Sequence, residues 1–153
     1  MTDWLLTDLH IHTTYSDGTM ELEEVIDFYG SLNFDVIAIT DHILDPFSSR
    51  LPRSVLPYNW IKNEDEFNKY YENVLNESKR AKSKFNMLVI PGIEFTNYIL
   101  NVHIVGVDIK KYIHLDKKMV NTLIEAQNQG ILLIGAHPFD TRFYKLGGGL
   151  WKN

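Results

Sequence analysis

Short apolar runs alternate along this chain with stretches in which apolar residues recur every three or four positions. That is the pattern of β/α units feeding a parallel sheet. Trp4 to Ile11 reads as a first strand. Thr19 is placed to cap a helix over Met20 to Leu32, where Leu22, Val25, Ile26 and Tyr29 share one face. Asp35 to Thr40 (DVIAIT) predicts a buried strand, because β-branched residues suit a pleated surface covered on both sides. Asn63 followed by Glu66 suggests a capping box opening a long polar helix that ends near Lys84. Asn86 to Pro91 and Asn101 to Ile109 read as strands. Asp116 to Gln129 reads as a helix closed by Gly130, and Ile131 to Ala136 (ILLIGA) as a fifth strand. From Asp45 to Trp60 runs a connection holding Pro46, Pro52 and Pro57. It is long for a compact domain, so it is either disordered or functional.

Composition narrows the picture in three ways. At 153 residues the chain suits one domain, taken here as residues 1–153. A net charge of -5 argues against a stable nucleic-acid partner, which would select a basic face. It leaves a nuclease open, since bound cations would invert the local field. There are no cysteines, which excludes disulfides, thiolate metal sites and a cysteine nucleophile. No apolar run reaches the roughly 20 residues of a membrane span, and no basic segment precedes an apolar one at the start. The expected setting is the cytoplasm, with no membrane partner.

Candidate chemistry gathers where strands end, the rim on which α/β folds build their sites. In Asp8-Leu9-His10-Ile11-His12, residues two apart on a strand project to the same side, so His10 and His12 can share one ion. Asp17 follows in a turn closed by Gly18 and can fold back over the strand end. The bland alternative is a strand with two half-buried histidines followed by an Asx-turn. Asp41 and His42 end the second strand, where Asp41 could cap the next segment and His42 could simply solvate a turn. Glu94 sits between Ile93 and Phe95, a costly place for a carboxylate unless a cation meets it, either a metal or a nearby lysine or arginine. His103 lies inside an apolar strand, where a core histidine is the ordinary reading, and His137 ends one just before Pro138. His114 stands in a polar connection and reads as surface. Together these positions form the imidazole and carboxylate set of a multinuclear hydrolytic site, suited to zinc, manganese or iron.

Four ordered elements resemble one family. Asp8-Leu9-His10-x-His12-Thr13-x-Tyr15-Ser16-Asp17-Gly18, Ile39-Thr40-Asp41-His42, Pro91-Gly92-Ile93-Glu94 and His137-Pro138 are similar to the motifs of the PHP (polymerase and histidinol phosphatase) superfamily. The resemblance implies a distorted (β/α)7 TIM-like barrel, of which about five β/α units would be present, and two to three divalent ions (Zn, Mn or Fe). It implies that His10, His12 and Glu94 hold one ion, that Glu94 bridges to a second held by His103 and His137, and that Asp17 and His42 hold a third. The implied activity is hydrolysis of phosphate esters by a metal-activated water, on a small phosphorylated substrate or a short oligonucleotide, with no side-chain nucleophile.

One departure accompanies the likeness. Family members carry a further Asp-x-His pair on a late strand, and nothing after His137 matches it. The expectation is therefore a domain incomplete at its C-terminal end, whose open sheet edge makes oligomers plausible. Arg142 is a candidate contact to substrate phosphate. Two other readings stand beside this one. An amidohydrolase-type C–N hydrolase also opens with His-x-His, but often bridges its metals with a lysine where this chain has Glu94. A metal-binding module without activity would follow from the missing C-terminal ligands.

Overall fold

A computed structural model describes residues 4–44, 60–97, 102–116 and 119–138. Its elements run β1 (Thr7–Ile11), α1 (Leu22–Ser31), β2 (Val36–Ile39), β3 (His42–Leu44), α2 (Glu64–Phe85), β4 (Leu88–Asn97), β5 (Val102–Val107), α3 (Val120–Asn128) and β6 (Leu132–Gly135). The architecture is mixed α/β, with a curled sheet in the order β1-β2-β4-β5-β6 and β3 paired to β4. No helix among the described residues is long and apolar enough to cross a membrane.

The alternation of strands and helices anticipates most of the elements but not β3 and not the sheet. β1, β2 and β4 pair parallel, as does β3 with β4. β5 and β6 run antiparallel to their neighbours. Too few residues separate Asn97 from Val102 for a parallel crossover, which takes about a dozen. The chain must therefore return beside β4 in the opposite sense.

Several boundaries also move. The first strand starts at Thr7, and α1 is capped by Glu21 rather than Thr19, through a reciprocal capping box with Glu24. β4 does not stop at Pro91 but continues to Asn97, because its upper half finds partners on both sides. Glu94 is therefore inside a strand. His42 lies in β3, a sixth strand in place of the expected loop entry. Asn63 does cap α2, its side chain accepting from the Glu66 N–H, while the Glu66 carboxylate reaches one residue further back, to the Lys62 N–H. α3 begins at Val120, not Asp116. Residues 45–59 of the long connection, and Arg142, lie outside the described residues.

Alternation within β2 shows how the layers form. Ile37 and Ile39 join the larger core with Ile26, Phe67, Tyr70, Val74, Ile93 and Phe95. Ala38 faces the other way, into a smaller cluster with Val105, Val107 and Ala136. The helices α1 and α2 thus cover one face, and small or β-branched side chains line the other. Burial of this first cluster is the main drive to fold, at about 25 cal/mol per Å² of apolar surface.

Two features join the upper ends of the strands. Gly92 lies so close to β5 that a side chain there would come within 2.8 Å of the Gly106 carbonyl and of the Thr40 methyl. The Tyr70 hydroxyl, fully buried, is 2.8 Å from the Ile39 carbonyl and 2.9 Å from that of Gly92, so one donor spans the top of β2 and the middle of β4. Replacing it by Phe keeps the ring packed and removes only this link. Tyr70→Phe is expected to cost about 1–3 kcal/mol, seen as a lower urea midpoint at unchanged slope. A midpoint equal to that of the unmodified protein would show that the hydroxyl does not hold the strands.

Candidate metal centre

The site is assembled at the upper ends of β1 and β2, at the start of β3, on the upper half of β4, and at the start of β5 and the end of β6. In β1 the pairing with β2 slips between Asp8 and Ile11. Such a bulge twists a strand and re-aims its side chains. It brings the Nε2 atoms of His10 and His12 to 3.1 Å from each other. The chain then turns tightly, and a side chain at Gly18 would collide with the His12 backbone. That close approach folds Asp17 back until its carboxylate lies 2.5 Å from His12 Nδ1 and 3.5 Å from His42 Nε2.

Glu94 is the hub. It is wholly buried, and its two oxygens face different partners. Oε2 lies 3.0 Å from His10 Nε2, 2.9 Å from His12 Nε2 and 3.3 Å from His42 Nδ1. Oε1 lies 2.8 Å from His103 Nδ1 and 3.6 Å from His137 Nε2. Register explains the convergence. Glu94 pairs with His42 across β3 and β4, and its neighbour Thr96 pairs with His103 across β4 and β5. His137 adopts a positive φ of 31° just after β6, a backbone state a residue with a Cβ rarely takes up and one that clusters at functional sites.

All seven residues singled out from the sequence for ligation thus meet within one network. Three sets have ligand atoms close enough to share an ion: His10, His12 and Glu94; His12, Asp17 and His42; and His42, Glu94 and His103. His12 and His42 each belong to two sets, a sharing the motif order does not reveal. His114 is exposed and apart from the cluster, as expected.

Electrostatics show how tightly the groups are coupled. Burial opposes the charged forms throughout, yet charge pairing outweighs it. Burial would lower the pKa of His12, but hydrogen bonds and charge from Asp17 and Glu94 lift it from 6.5 to about 10. Burial would raise Asp17 and Glu94, but their imidazole partners hold both well below the usual carboxylate range. Five rings around one carboxylate cannot all be satisfied by protons on it, and the 3.1 Å contact between His10 and His12 can hold at most one. A divalent cation fits this donor set better than protons do: it accepts lone pairs from several imidazoles while neutralising the carboxylates.

A supporting layer was not legible as such in the sequence. Asp41, fully buried, accepts from the Thr13 N–H at 2.8 Å, the Thr13 hydroxyl at 2.8 Å and the Ser16 hydroxyl at 2.6 Å. Rather than capping the next segment, it pins the turn that carries His12 and Asp17. Burial pushes its pKa up, against the pull of those hydrogen bonds. Thr40 accepts from the Ile11 N–H through its side chain, completing a rung between β1 and β2. The Thr96 hydroxyl lies 2.7 Å from His42 Nδ1, and the Trp60 ring stacks on His42 with centroids 4.6 Å apart. The signal that was available is the Thr and Ser content of the motif itself, TTYS and TDH.

Known proteins resemble this chain in sequence and fold. A sequence profile of the PHP domain matches residues 8–137. The crystal structure of a two-domain protein from Bacteroides vulgatus, described as containing a predicted PHP-like metal-dependent phosphoesterase, is similar with a TM-score of 0.59 at 20% identity. That match covers 90% of this chain and 36% of the other, so this chain spans little more than a third of that relative's length. A protein from Bifidobacterium adolescentis, provisionally described as a metal-dependent phosphoesterase, gives a TM-score of 0.40 at 18% identity, covering 69% of this chain and 28% of that one. No curated protein matches the chain.

Two outcomes follow from this geometry. A pKa raised on folding adds stability that is fully present below the unfolded value and is lost as pH climbs through the folded one. In chelator, the melting temperature is therefore expected to fall as pH rises from about 6.5 towards about 10, the interval over which His12 differs between the two states. Metal binding, which displaces that proton, should tighten over the same interval. A chelated protein whose melting temperature is flat across it would remove the His12 pairing. Separately, Asp41→Ala should weaken metal binding by about 10–100-fold while His10, His12 and Glu94 are all retained, as outer-shell changes do. Competition against a fluorescent chelator checks this, and unchanged affinity would deny Asp41 its positioning role.

Proposed function

The chain belongs to the PHP domain family, and from that premise we propose that it is a metal-dependent phosphoesterase. In this reading His10, His12, Asp17, His42, Glu94, His103 and His137 hold two or three divalent ions. The observation that carries it is Glu94. Its buried carboxylate has both oxygens against imidazoles, and no lysine or arginine pairs with it among the described residues. A structural ion pair would instead offer a fixed cation. Here the compensating charge must come from protons or from metal.

The donor set of nitrogens and carboxylate oxygens suits zinc, manganese or iron. When bound, such ions supply a water whose pKa falls to about 7 and positive charge beside the phosphoryl oxygens. The protein's own groups do the rest. Glu94 keeps two sets of imidazoles at a fixed separation, one on each oxygen. Asp17 holds His12 Nδ1, so that this ring offers Nε2 towards Glu94, and Thr96 holds His42 Nδ1, so that this ring offers Nε2 towards Asp17. No serine or cysteine nucleophile is called for. The substrate class, a small phosphorylated molecule or short oligonucleotide, comes from the family and from the phosphoesterase description of the Bacteroides relative.

Protein purified without chelators is expected to carry bound zinc, manganese or iron by elemental analysis. It should hydrolyse members of a phosphate-ester panel, and lose that activity in chelator and regain it with metal. His12→Ala and Glu94→Ala should each lower turnover by more than about 100-fold, beyond the range of outer-shell substitutions. Unchanged turnover in either folded variant would overturn the mechanism, and hydrolysis of amides in place of phosphate esters would overturn the substrate class.

A further inference from the structure

Asp8 opens the first motif, yet its side chain is in none of the sets that could share an ion. It is half-buried, and its two oxygens meet donors of another kind. Oδ1 accepts from the His10 N–H at 3.1 Å, and Oδ2 accepts from the Tyr29 hydroxyl at 2.7 Å. One carboxylate therefore joins the backbone of a candidate ligand to helix α1.

The place of this link in the strand gives it meaning. Where the pairing of β1 slips, Leu9 and His10 together stand against Ala38 alone. Among the described residues β1 is also an edge of the sheet, with β2 as its neighbour. A slipped edge strand has few ladder contacts to fix its φ and ψ, and the direction of the His10 ring follows from those angles. The hydrogen bond from the His10 N–H back to Asp8 closes the bulge on itself, as Asp side chains do in short turns.

Tyr29 supplies the fixed end. Its ring packs edge-on against Phe34, with centroids 4.8 Å apart, and against the larger core, which sets the position of the hydroxyl. Burial, and then the Asp8 carboxylate, push its pKa up to about 12, so it is a proton donor at neutral pH. His10 is also the ligand whose effect can be isolated. It belongs to one of the three candidate sets, whereas His12, His42 and Glu94 each belong to two.

We infer that Asp8 and Tyr29 are positioning residues for His10, which set its ring at the β1 bulge and thereby the affinity of the ion that His10, His12 and Glu94 would share. The inference rests on the metal centre of the proposed function, not on the reaction assigned to it. Cobalt(II) is titrated into the chelator-stripped full chain and followed by its visible absorption, with His10→Ala marking the step that depends on His10.

Asp8→Ala is expected to weaken that step by about 10–100-fold and to leave the other steps within about twofold. Tyr29→Phe, which keeps the ring, should weaken the same step by less, and it reads out that step alone should Asp8→Ala not fold. Asp8→Asn should restore the affinity, because its amide oxygen still accepts from the His10 N–H and its amide nitrogen can donate to the Tyr29 oxygen. Adding Asp8→Ala to His10→Ala should change nothing further, since a residue that acts only through His10 has no other route. Equal weakening of every step, or a double variant weaker than His10→Ala, would make the pair merely structural and overturn the inference. So would unchanged affinity in Asp8→Ala, or an Asn variant as weak as the Ala one. An Asp8-dependent step in a chain that hydrolyses no phosphate ester would leave the pair standing and sink the proposed reaction. No cobalt uptake by the unmodified chain would overturn both.

Discussion

A carboxylate with no exposed surface, facing only imidazoles, is the constraint around which the upper half of this molecule is arranged. Leaving Glu94 charged in that position without compensation would cost several kcal/mol. The chain meets this cost by delivering five imidazoles, from β1, β3, β5 and β6 or their ends, to its two oxygens. β4 has to continue past Pro91 to carry it, β3 has to form beside it, and β5 has to return antiparallel to bring His103 into range. The mixed sheet is thus not incidental to the site. A purely parallel arrangement with so short a connection after β4 would not place His103 there.

The same constraint explains the polar side chains that do not ligate. Where many titratable groups crowd together, small rotations change every distance, so the rings must be held. Thr40 replaces a backbone rung between β1 and β2, and Asp41 gathers three donors from the 13–16 turn. Thr96 fixes His42, and Tyr70 ties β2 to β4 from below. These contacts exchange buried polar groups for one another, which keeps each satisfied while locking the geometry. Because His12 holds a proton between Asp17 and Glu94, a metal that displaced it would link folding, proton release and metal uptake at this centre. Stability and pH response are then properties of one network, not of single residues.

A second consequence concerns the wall between centre and cavity. His42 touches Glu94, Asp17, Thr96 and Trp60 at once, so it joins the cluster to the wall of the neighbouring cavity that Trp60 lines.

What the sequence by itself determined is local and chemical. Helix spacing, capping pairs and β-branched runs placed most elements, because each depends on interactions within a few residues. The His, Asp and Glu positions were legible because few other demands put His-x-His, a buried Glu and His-Pro at strand ends in one short chain. Only tertiary structure decided the direction of β5 and β6, the existence of β3 and the length of β4, since strand pairing depends on partners far away in sequence. It alone showed that His12 and His42 each belong to two of the groups that could hold an ion, and that Asp41 supports the turn rather than starting a new element. Trp60 was invisible as anything but the end of a loop. Its place beside the cluster comes from stacking on His42, and which ring meets which depends on what the fold packs together.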